Sequence, residues 1–182
     1  MKTKWILMMF ALTMLVVITN AQTIDKKSSV VNFKIKAMGM MNVEGTFTGF
    51  SGDVKFDSKN LSSSSIDVCI NASSVNTGNT QRDNHIRSAD FIDSEKYGKI
   101  CFTSSSIKAD GNNYIAEGKL TLHGVTKTVK IPLTYQNNTL KGTLEVKRLD
   151  YKVGESYGTF RAGEIIYLDI NCVLNSQNLT RL

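Results

Sequence analysis

Between two apolar strands lies a segment, residues 74–102, that reads SVNTGNTQRDNHIRSADFIDSEKYGKICF and is polar and rich in turns before it returns to a strand. Loops between strands usually carry little specific pattern. This segment instead combines a Thr77-Gly78 turn, an Arg82-Asp83 charge pair and a short amphipathic piece that contains Ile86 and Phe91. The pattern indicates an insertion into a chain of strands, with a short helix over residues 80–88 and Ile86 facing inward.

Period-two alternation of apolar and polar residues dominates on both sides of this segment, as is typical of half-buried antiparallel strands. Turn-forming residues such as Asp110-Gly111-Asn112-Asn113 separate the runs. The alternating runs are 31–35, 43–47, 54–56, 66–70, 100–102, 114–122, 129–133, 140–146 and 166–172. Many strands joined by short turns form a sandwich or a closed barrel. We predict an all-β antiparallel barrel of about eight strands, because closure removes exposed strand edges.

The inward-facing positions are large and apolar, and no ionisable residue recurs among them. Glycines inside the strands, at Gly45, Gly118 and Gly142, are typical of a bend or of the close approach of a ligand. A barrel of this size holds either packed side chains or one small ligand. Alternation is the same in both cases, so the sequence leaves a filled barrel and an apolar cavity open as alternatives.

The N-terminus has the features of a secretory signal peptide. Lys2 and Lys4 make a basic start, residues 5–18 are apolar except for Thr13, and small residues precede a cleavage position at Ala21. The apolar run is shorter than the roughly 20 residues of a spanning helix, and an uncleaved anchor is the alternative. We predict cleavage near Ala21, one domain over residues 22–182, a periplasmic or secreted location, and no stable membrane insertion of the mature chain.

The charge of the chain gives no sign of a nucleic-acid partner. Its formal net charge of +6 falls to +4 when Lys2 and Lys4 leave with the signal peptide. The remaining positive residues are scattered and form no basic stripe. We therefore expect no nucleic-acid partner.

Three cysteines follow the signal peptide, and none belongs to a C-x-x-C pair. Cys69 and Cys101 both point away from the apolar face of their strands. If those strands pair, the two thiols are cross-strand neighbours, and export permits a Cys69–Cys101 disulfide. The alternative is three unpaired thiols, with Cys172 packed inside in line with Leu168 and Ile170.

Several separated pieces of the chain resemble the YceI family of small secreted lipid-binding proteins, in the family's order. Residues 43–52 are similar to a V-x-G-x-F-x-x-F-x-G segment, residues 74–86 to S-I-x-T-G-x followed by R-D-x-H-L, and residues 118–127 to G-x-L-T-x-x-G-V-T-K. Arg148, Tyr151 and Gly154 match a late R-x-x-Y/F-G element. The likeness covers nearly the whole mature chain, although Lys36 stands where many members carry histidine.

The resemblance implies a lipocalin-like barrel with a short helical insertion and a hydrophobic lumen. Family members bind long isoprenoids, quinones or fatty-acid derivatives without a known chemical step, so the implied partner is an apolar lipid and no other cofactor is expected. The resemblance also implies that a homodimer can form. Ile86 and Phe91 would cap the pocket near its mouth. The residues expected to line it are Phe33, Phe47, Val68, Phe102, Leu120, Leu122, Ile131 and Leu168.

The polar residues of the insertion give a weaker prediction. We expect Arg82 to bond loop carbonyls or an acid, and Asp83 to cap the first helical turn. A general base at His85 or His123 would need an adjacent nucleophile and an orienting acid. Ser88 lies one helical turn from His85, but a serine and a histidine on one short helix do not make a triad. With no His, Asp or Glu cluster beside either histidine, we expect no metal site.

Three functions remain as hypotheses. The first is a carrier of a polyisoprenoid, quinone or fatty-acid derivative. The second is a lipid-modifying enzyme that uses His85 or His123. The third is a filled barrel that serves as a stress-responsive, partner-binding module. Lipid uptake separates the first from the third, and the loss of turnover in histidine variants would identify the second.

Overall fold

Antiparallel strands build most of the part of the chain that the structure, a computed structural model, describes, which is residues 22–176. One α-helix, α1, lies at Thr80–Arg87. The strands are β1 (Gln22–Ile24), β2 (Val30–Ala37), β3 (Met41–Phe47), β4 (Ser51–Lys55), β5 (Ser65–Asn71), β6 (Lys99–Asp110), β7 (Asn113–Leu122), β8 (Val125–Gln136), β9 (Thr139–Lys147) and β10 (Ala162–Ser176). Short 3₁₀ turns lie at Leu61–Ser63, Ala72–Ser74 and Arg148–Tyr151.

The strands form one curled sheet in the order β3-β2-β10-β9-β8-β7-β6-β5-β4, with every neighbouring pair antiparallel. This confirms the predicted all-β barrel with a short helical insertion. Each of the nine alternating runs coincides with a strand, except that Phe56 lies just after the end of β4. The described residues add a tenth strand, β1, which pairs with the end of β10 and is too short to show a period.

The curled sheet brings its first and last strands, β3 and β4, towards each other without a continuous ladder between them. On one side of this seam Thr46 and Asn76 exchange backbone hydrogen bonds of 2.9 and 3.0 Å. On the other side the Phe56 backbone N–H donates to the Gln22 side-chain oxygen at 2.8 Å. Two separate contacts therefore close the barrel where strand pairing ends.

Alternation along each strand places one set of side chains inside, as β2 shows. Phe33 and Ile35 are buried, whereas Lys34 and Lys36 are exposed. Phe33 lies opposite Leu168 of β10, and its ring covers the space where a Cβ of Gly45 would stand, 2.7 Å away. The glycine in β3 therefore makes room for a neighbouring side chain of the protein itself.

The interior has two unlike ends. We call the filled end the part around Phe56, whose ring centroid lies 5.0 Å from that of Tyr114 and 4.7 Å from that of Tyr135. Leu133 and Leu140 are buried in the same core. The open end lies at the other ends of these strands, where α1 and the loop before β10 cover the barrel. Side chains fill the first end, and the second contains the cavity described below.

Cys69 and Cys101 lie directly opposite each other in the β5–β6 pair and are joined by a disulfide, with their Cα atoms 4.0 Å apart. Cys172 is a free thiol, buried at 5% exposure. Burial raises the pKa of the Cys172 thiol to about 11, while a hydrogen bond with Ser29 acts in the opposite direction.

Within residues 22–176, no helix has the length and apolar character needed to cross a membrane. The predicted signal peptide falls on residues 1–21, which lie outside the described part of the chain, and it stays a prediction.

Candidate functional site

An apolar cavity of about 220 Å³ occupies the open end of the barrel. This is far larger than the roughly 10–15 Å³ that one water molecule requires, so it is no ordinary packing defect. The side chains that line it come from β2, β3, β5, β6, β7, β9 and β10, from α1 and the segment after it, and from the loop before β10. The wall is almost entirely aliphatic or aromatic. Its polar members are Lys36, Arg82, His85, Tyr157 and Arg161.

The structure brings most of the sequence-predicted lumen residues together on this wall. Seven of the ten line the cavity: Phe33, Phe47, Ile86, Phe91, Leu120, Leu122 and Leu168. Val68, Phe102 and Ile131 do not line it and instead belong to the packed part of the interior. Phe102, for example, covers Gly118, where an added Cβ would meet its ring at 2.8 Å. Alternation gave the correct face for these three, but it does not tell which end of the barrel is filled.

Several wall residues are not among those predicted from the sequence. Val31, Ile35 and Ile166 are inward positions of recognised strands, so the alternation already contained them. Val153 and Tyr157 lie in the loop before β10, and no periodic signal marks them. Their place in the site depends on how that loop folds over the barrel.

The α1 segment forms one side of the mouth and is held by its own polar residues. Asn79, directly before the helix, accepts a hydrogen bond from the Arg82 backbone N–H at 2.9 Å and is the N-cap. Asp83 was predicted to be that cap, and the prediction is wrong: its carboxylate accepts from the Thr77 N–H and hydroxyl at 2.8 and 2.6 Å. An asparagine immediately before a helical run was the signal that could have identified the cap.

Arg82 also binds the turn at Thr77, and it bonds a loop carbonyl as predicted. Its guanidinium donates to the Thr77 carbonyl and hydroxyl at 2.9 and 2.8 Å. Arg87 donates to the carbonyls of Ser73 and Val75 at 2.8 and 2.7 Å. The two arginines therefore fasten α1 to the chain leaving β5, which fixes Ile86 over the cavity.

A loop between β9 and β10, residues 152–161, forms the other side of the mouth; we call it the rim loop. Arg148 lies beneath it with 0% exposure, and no carboxylate within the described residues forms an ion pair with it. Burial lowers the pKa of its guanidinium, and the charge of Glu164 acts in the opposite direction. Its donors instead bond, at 2.6–3.3 Å, the carbonyls of Val153, Gly154, Tyr157, Ala162 and Gly163. One buried side chain thus determines the course of the rim loop.

The two sides of the mouth meet at Gly154. Its backbone has a φ of +60° and its N–H donates to the Phe91 carbonyl at 3.2 Å. A Cβ at this position would lie 2.7 Å from the Phe91 ring. Glycine is therefore required by both the conformation and the space.

Neither histidine has the surroundings of a general base. The His85 ring nitrogen Nε2 lies 2.8 Å from the Tyr157 hydroxyl, at the mouth. Ser88 does not face that ring, since its hydroxyl donates to the His85 backbone carbonyl. His123 Nδ1 lies 3.2 Å from the Tyr151 carbonyl, and its ring packs on Tyr97. Among residues 22–176, no three His, Cys, Asp or Glu side chains gather as a metal site would require.

The fold has close counterparts among solved structures. Burkholderia cenocepacia BcnA matches with a TM-score of 0.77 and 28% identity, over 85% of this chain and all of BcnA. The Campylobacter jejuni YCEI protein matches with a TM-score of 0.66 and 29% identity, over 80% and 91% of the two chains. A domain from Saccharophagus degradans described as polyisoprenoid binding matches with a TM-score of 0.66, over 87% of this chain and 99% of that domain. At 18% identity, that likeness shows the fold alone.

Comparison of sequences leads to the same group. Protein YceI of Escherichia coli O6:H1 is 46% identical over 110 residues, which are 59% of this chain and 58% of that protein, so the match spans little more than half of the relative's length. The sequence model of the YceI-like domain matches residues 22–174, the part that forms the barrel and both sides of the cavity mouth. The chain belongs to the YceI-like domain family.

Proposed function

We propose that this protein is a carrier that holds one long apolar chain in the barrel cavity and performs no chemical step on it. The ligand class is a polyisoprenoid, a quinone or a fatty-acid derivative, and the place of action is the periplasm or the cell exterior. The observation that carries the proposal is the apolar cavity at the open end, with polar side chains confined to its mouth.

Burial energetics favour a hydrocarbon chain as the occupant. Each methylene moved from water into such a wall contributes about 0.8 kcal/mol, so a chain of several carbons is held with little polar recognition. The cavity wall offers few hydrogen-bond donors or acceptors for a polar ligand. Exposed residues such as Lys36 and Arg161 belong to its lining, so the cavity reaches the surface and a polar end group can stay in water.

Comparisons support the same class of function at the level of the fold. The Saccharophagus degradans neighbour, described as a polyisoprenoid binding domain, has the same fold. The cavity also favours a carrier over a filled barrel that would act only through a protein partner. The Ser88 hydroxyl donates to the His85 backbone carbonyl and not to the imidazole ring, which favours binding over catalysis.

Native mass spectrometry of the protein purified without detergent, followed by organic extraction, tests the proposal. We expect a stoichiometric adduct that extracts as a long-chain compound. Val43→Trp should fill the cavity from β3 and abolish the adduct. Val129→Trp is the matched control, because Val129 of β8 is also half-buried but lies outside the cavity wall.

A clean apo mass for the wild type, unchanged after incubation with quinones and fatty acids, would contradict the carrier function. Equal adducts in Val43→Trp and the wild type would place the ligand elsewhere. Conversion of an added lipid that ends in His85→Ala or His123→Ala, with binding preserved, would instead establish an enzyme.

A further inference from the structure

Four large apolar side chains stand in solvent beside the cavity mouth. They are Met38, Met40, Met41 and Phe160, with exposures of 52%, 89%, 61% and 66%. We call them the mouth patch. Exposed apolar groups that cluster in this way mark interaction surfaces, whereas single exposed ones are ordinary.

Backbone contacts hold the patch together across two segments of the chain. The Gly39 N–H, in the β2–β3 turn, donates to the Phe160 carbonyl of the rim loop at 3.0 Å. A Cβ on Gly39 would lie 3.0 Å from the Phe160 ring, so that ring packs on the turn. The neighbours Ala37 and Arg161 line the cavity. The mouth patch therefore borders the entrance of the cavity.

The surroundings of the patch are cationic. Lys36 and Arg161 flank it, both are exposed, and neither forms an ion pair within the described residues. Residues 36–43 and 156–163, which carry the patch, contain no Asp or Glu.

Three acids adjoin these stretches. Glu155 of the rim loop is exposed and forms no ion pair within the described residues, but the exposed Lys152 of the same loop offsets its charge, and the other two acids are partly neutralised. Glu44 lies 3.6 Å from Lys34, and Glu164 lies 3.9 Å from Lys147. Apolar side chains at a surface tip with unpaired cations around them are suited to an interface that is apolar inside and anionic at its surface.

We propose that the mouth patch docks the protein on the surface of a bilayer that contains anionic lipids. Met38, Met40, Met41 and Phe160 enter the interfacial region, while Lys36 and Arg161 contact lipid headgroups. This inference rests on the proposed function, because a lipid chain that leaves a membrane for the cavity then passes through the entrance without crossing water. Methionine side chains, flexible and apolar, suit contact with a fluid surface.

A second copy of this chain fits the patch less well. In a two-fold symmetric dimer the same surface meets itself, so Lys36 and Arg161 of one copy would face the same cations of the other. Like charges brought together in this way are unfavourable. Such a dimer would also cover the entrance through which the ligand must pass.

Flotation with lipid vesicles tests the docking. Vesicles of phosphatidylcholine alone are compared with vesicles containing roughly a third of phosphatidylglycerol. Met40→Glu/Phe160→Glu should weaken partitioning to the anionic vesicles by about tenfold or more. Tyr167→Glu/Thr128→Glu is the matched control, because it adds the same two negative charges at exposed positions of the outer wall, where Tyr167 is 44% exposed, and it should partition much more like the wild type. Intact masses verify that all variants share one N-terminus.

Binding of a fluorescent fatty acid dispersed in solution separates the docking from the proposed function. Met40 and Phe160 do not line the cavity, so Met40→Glu/Phe160→Glu should bind this probe like the wild type while losing vesicle binding. No probe binding in the wild type would defeat the proposed function, whatever the vesicles show.

Two results would overturn the docking surface: equal vesicle binding in the wild type and Met40→Glu/Phe160→Glu, or no wild-type binding to anionic vesicles. A monomer–dimer equilibrium that this variant abolishes, without vesicle binding in the wild type, would assign the patch to a second copy and also overturn the proposal.

Discussion

The filled end and the open end of the barrel are built from the same strands with the same alternation, yet one is packed and the other holds a cavity. At the filled end three aromatic rings, Phe56, Tyr114 and Tyr135, meet across the interior. At the open end the facing residues of β2 and β10 are mainly aliphatic, down to Ala37 and Ala162 at the mouth. The size of the side chains at each level, together with what covers the end, decides whether a barrel can hold a ligand.

The covers of the two ends differ as well. At the filled end β1 runs beside β4 and completes the wall by pairing with β10. At the open end α1 and the rim loop lie over the cavity, tied down by Arg82, Arg87 and Arg148. Core packing therefore stabilises the filled end, and guanidinium hydrogen bonds stabilise the cover of the open end. The following variants test that division.

Arg148→Met should have the largest effect. It leaves several carbonyls of the rim loop without donors, and we expect a loss of about 3–5 kcal/mol in the free energy of unfolding together with a loss of ligand retention. Urea unfolding and native mass spectrometry measure the two effects. Arg161→Met, at an exposed position that borders the cavity, is the control for stability alone and should stay within about 0.5 kcal/mol of the wild type. Wild-type stability in Arg148→Met would show that the rim loop is held by other contacts.

Truncations at the two ends should act in opposite ways. Phe56→Ala at the filled end should cost about 3–4 kcal/mol and leave ligand binding to the folded protein intact, because it creates a new void far from the site. Ile86→Ala at the open end should cost about 1 kcal/mol, since this side chain already borders empty space, but should weaken ligand retention. Thermal unfolding and adduct intensity give both values. Equal effects of the two variants on the adduct would remove the distinction between the ends.

Cys172 gives a pH-dependent test of the filled end. Burial in the folded protein raises the pKa of its thiol from an ordinary value of 9.0 to about 11, so the unfolded chain loses this proton first as the pH rises. Stability should therefore fall between about pH 9 and 11, by an amount on the order of 2–3 kcal/mol from this group. Comparison with Cys172→Ala removes the contribution of other groups that titrate there. Rapid reaction of Cys172 with a thiol reagent in the native state would contradict its burial.

The smallest effect is expected at the mouth histidine. His85→Ala removes an exposed hydrogen bond to Tyr157 and should change stability by less than about 1 kcal/mol, with the adduct retained. Tyr157→Phe removes the same bond while keeping the ring, and it should behave in the same way. A loss of ligand in His85→Ala but not in Tyr157→Phe would assign the imidazole a direct contact with the ligand.

Much of the fold could be predicted from the sequence because the signals are local. Period-two alternation located the strands, and a polar segment between two of them located the helix. Cys69 and Cys101 each alternate with the inward apolar residues of their strand, and this placed both thiols on the outer face of neighbouring strands. Asp83 shows where this reasoning fails, since a carboxylate near a helix start has several backbone donors within reach and only the turn at Thr77 decides among them.

The positions of the strands and the apolar face of each strand follow from the sequence alone, because side-chain direction depends on the backbone of the strand itself. The difference between the filled end and the open end arises only in the tertiary structure, because it depends on volumes contributed by many strands at one level. The same holds for the mouth, where His85 meets Tyr157 across 72 positions of sequence and the turn at Gly39 meets Phe160. Such contacts form only when the whole sheet has curled, so no local sequence pattern predicts them.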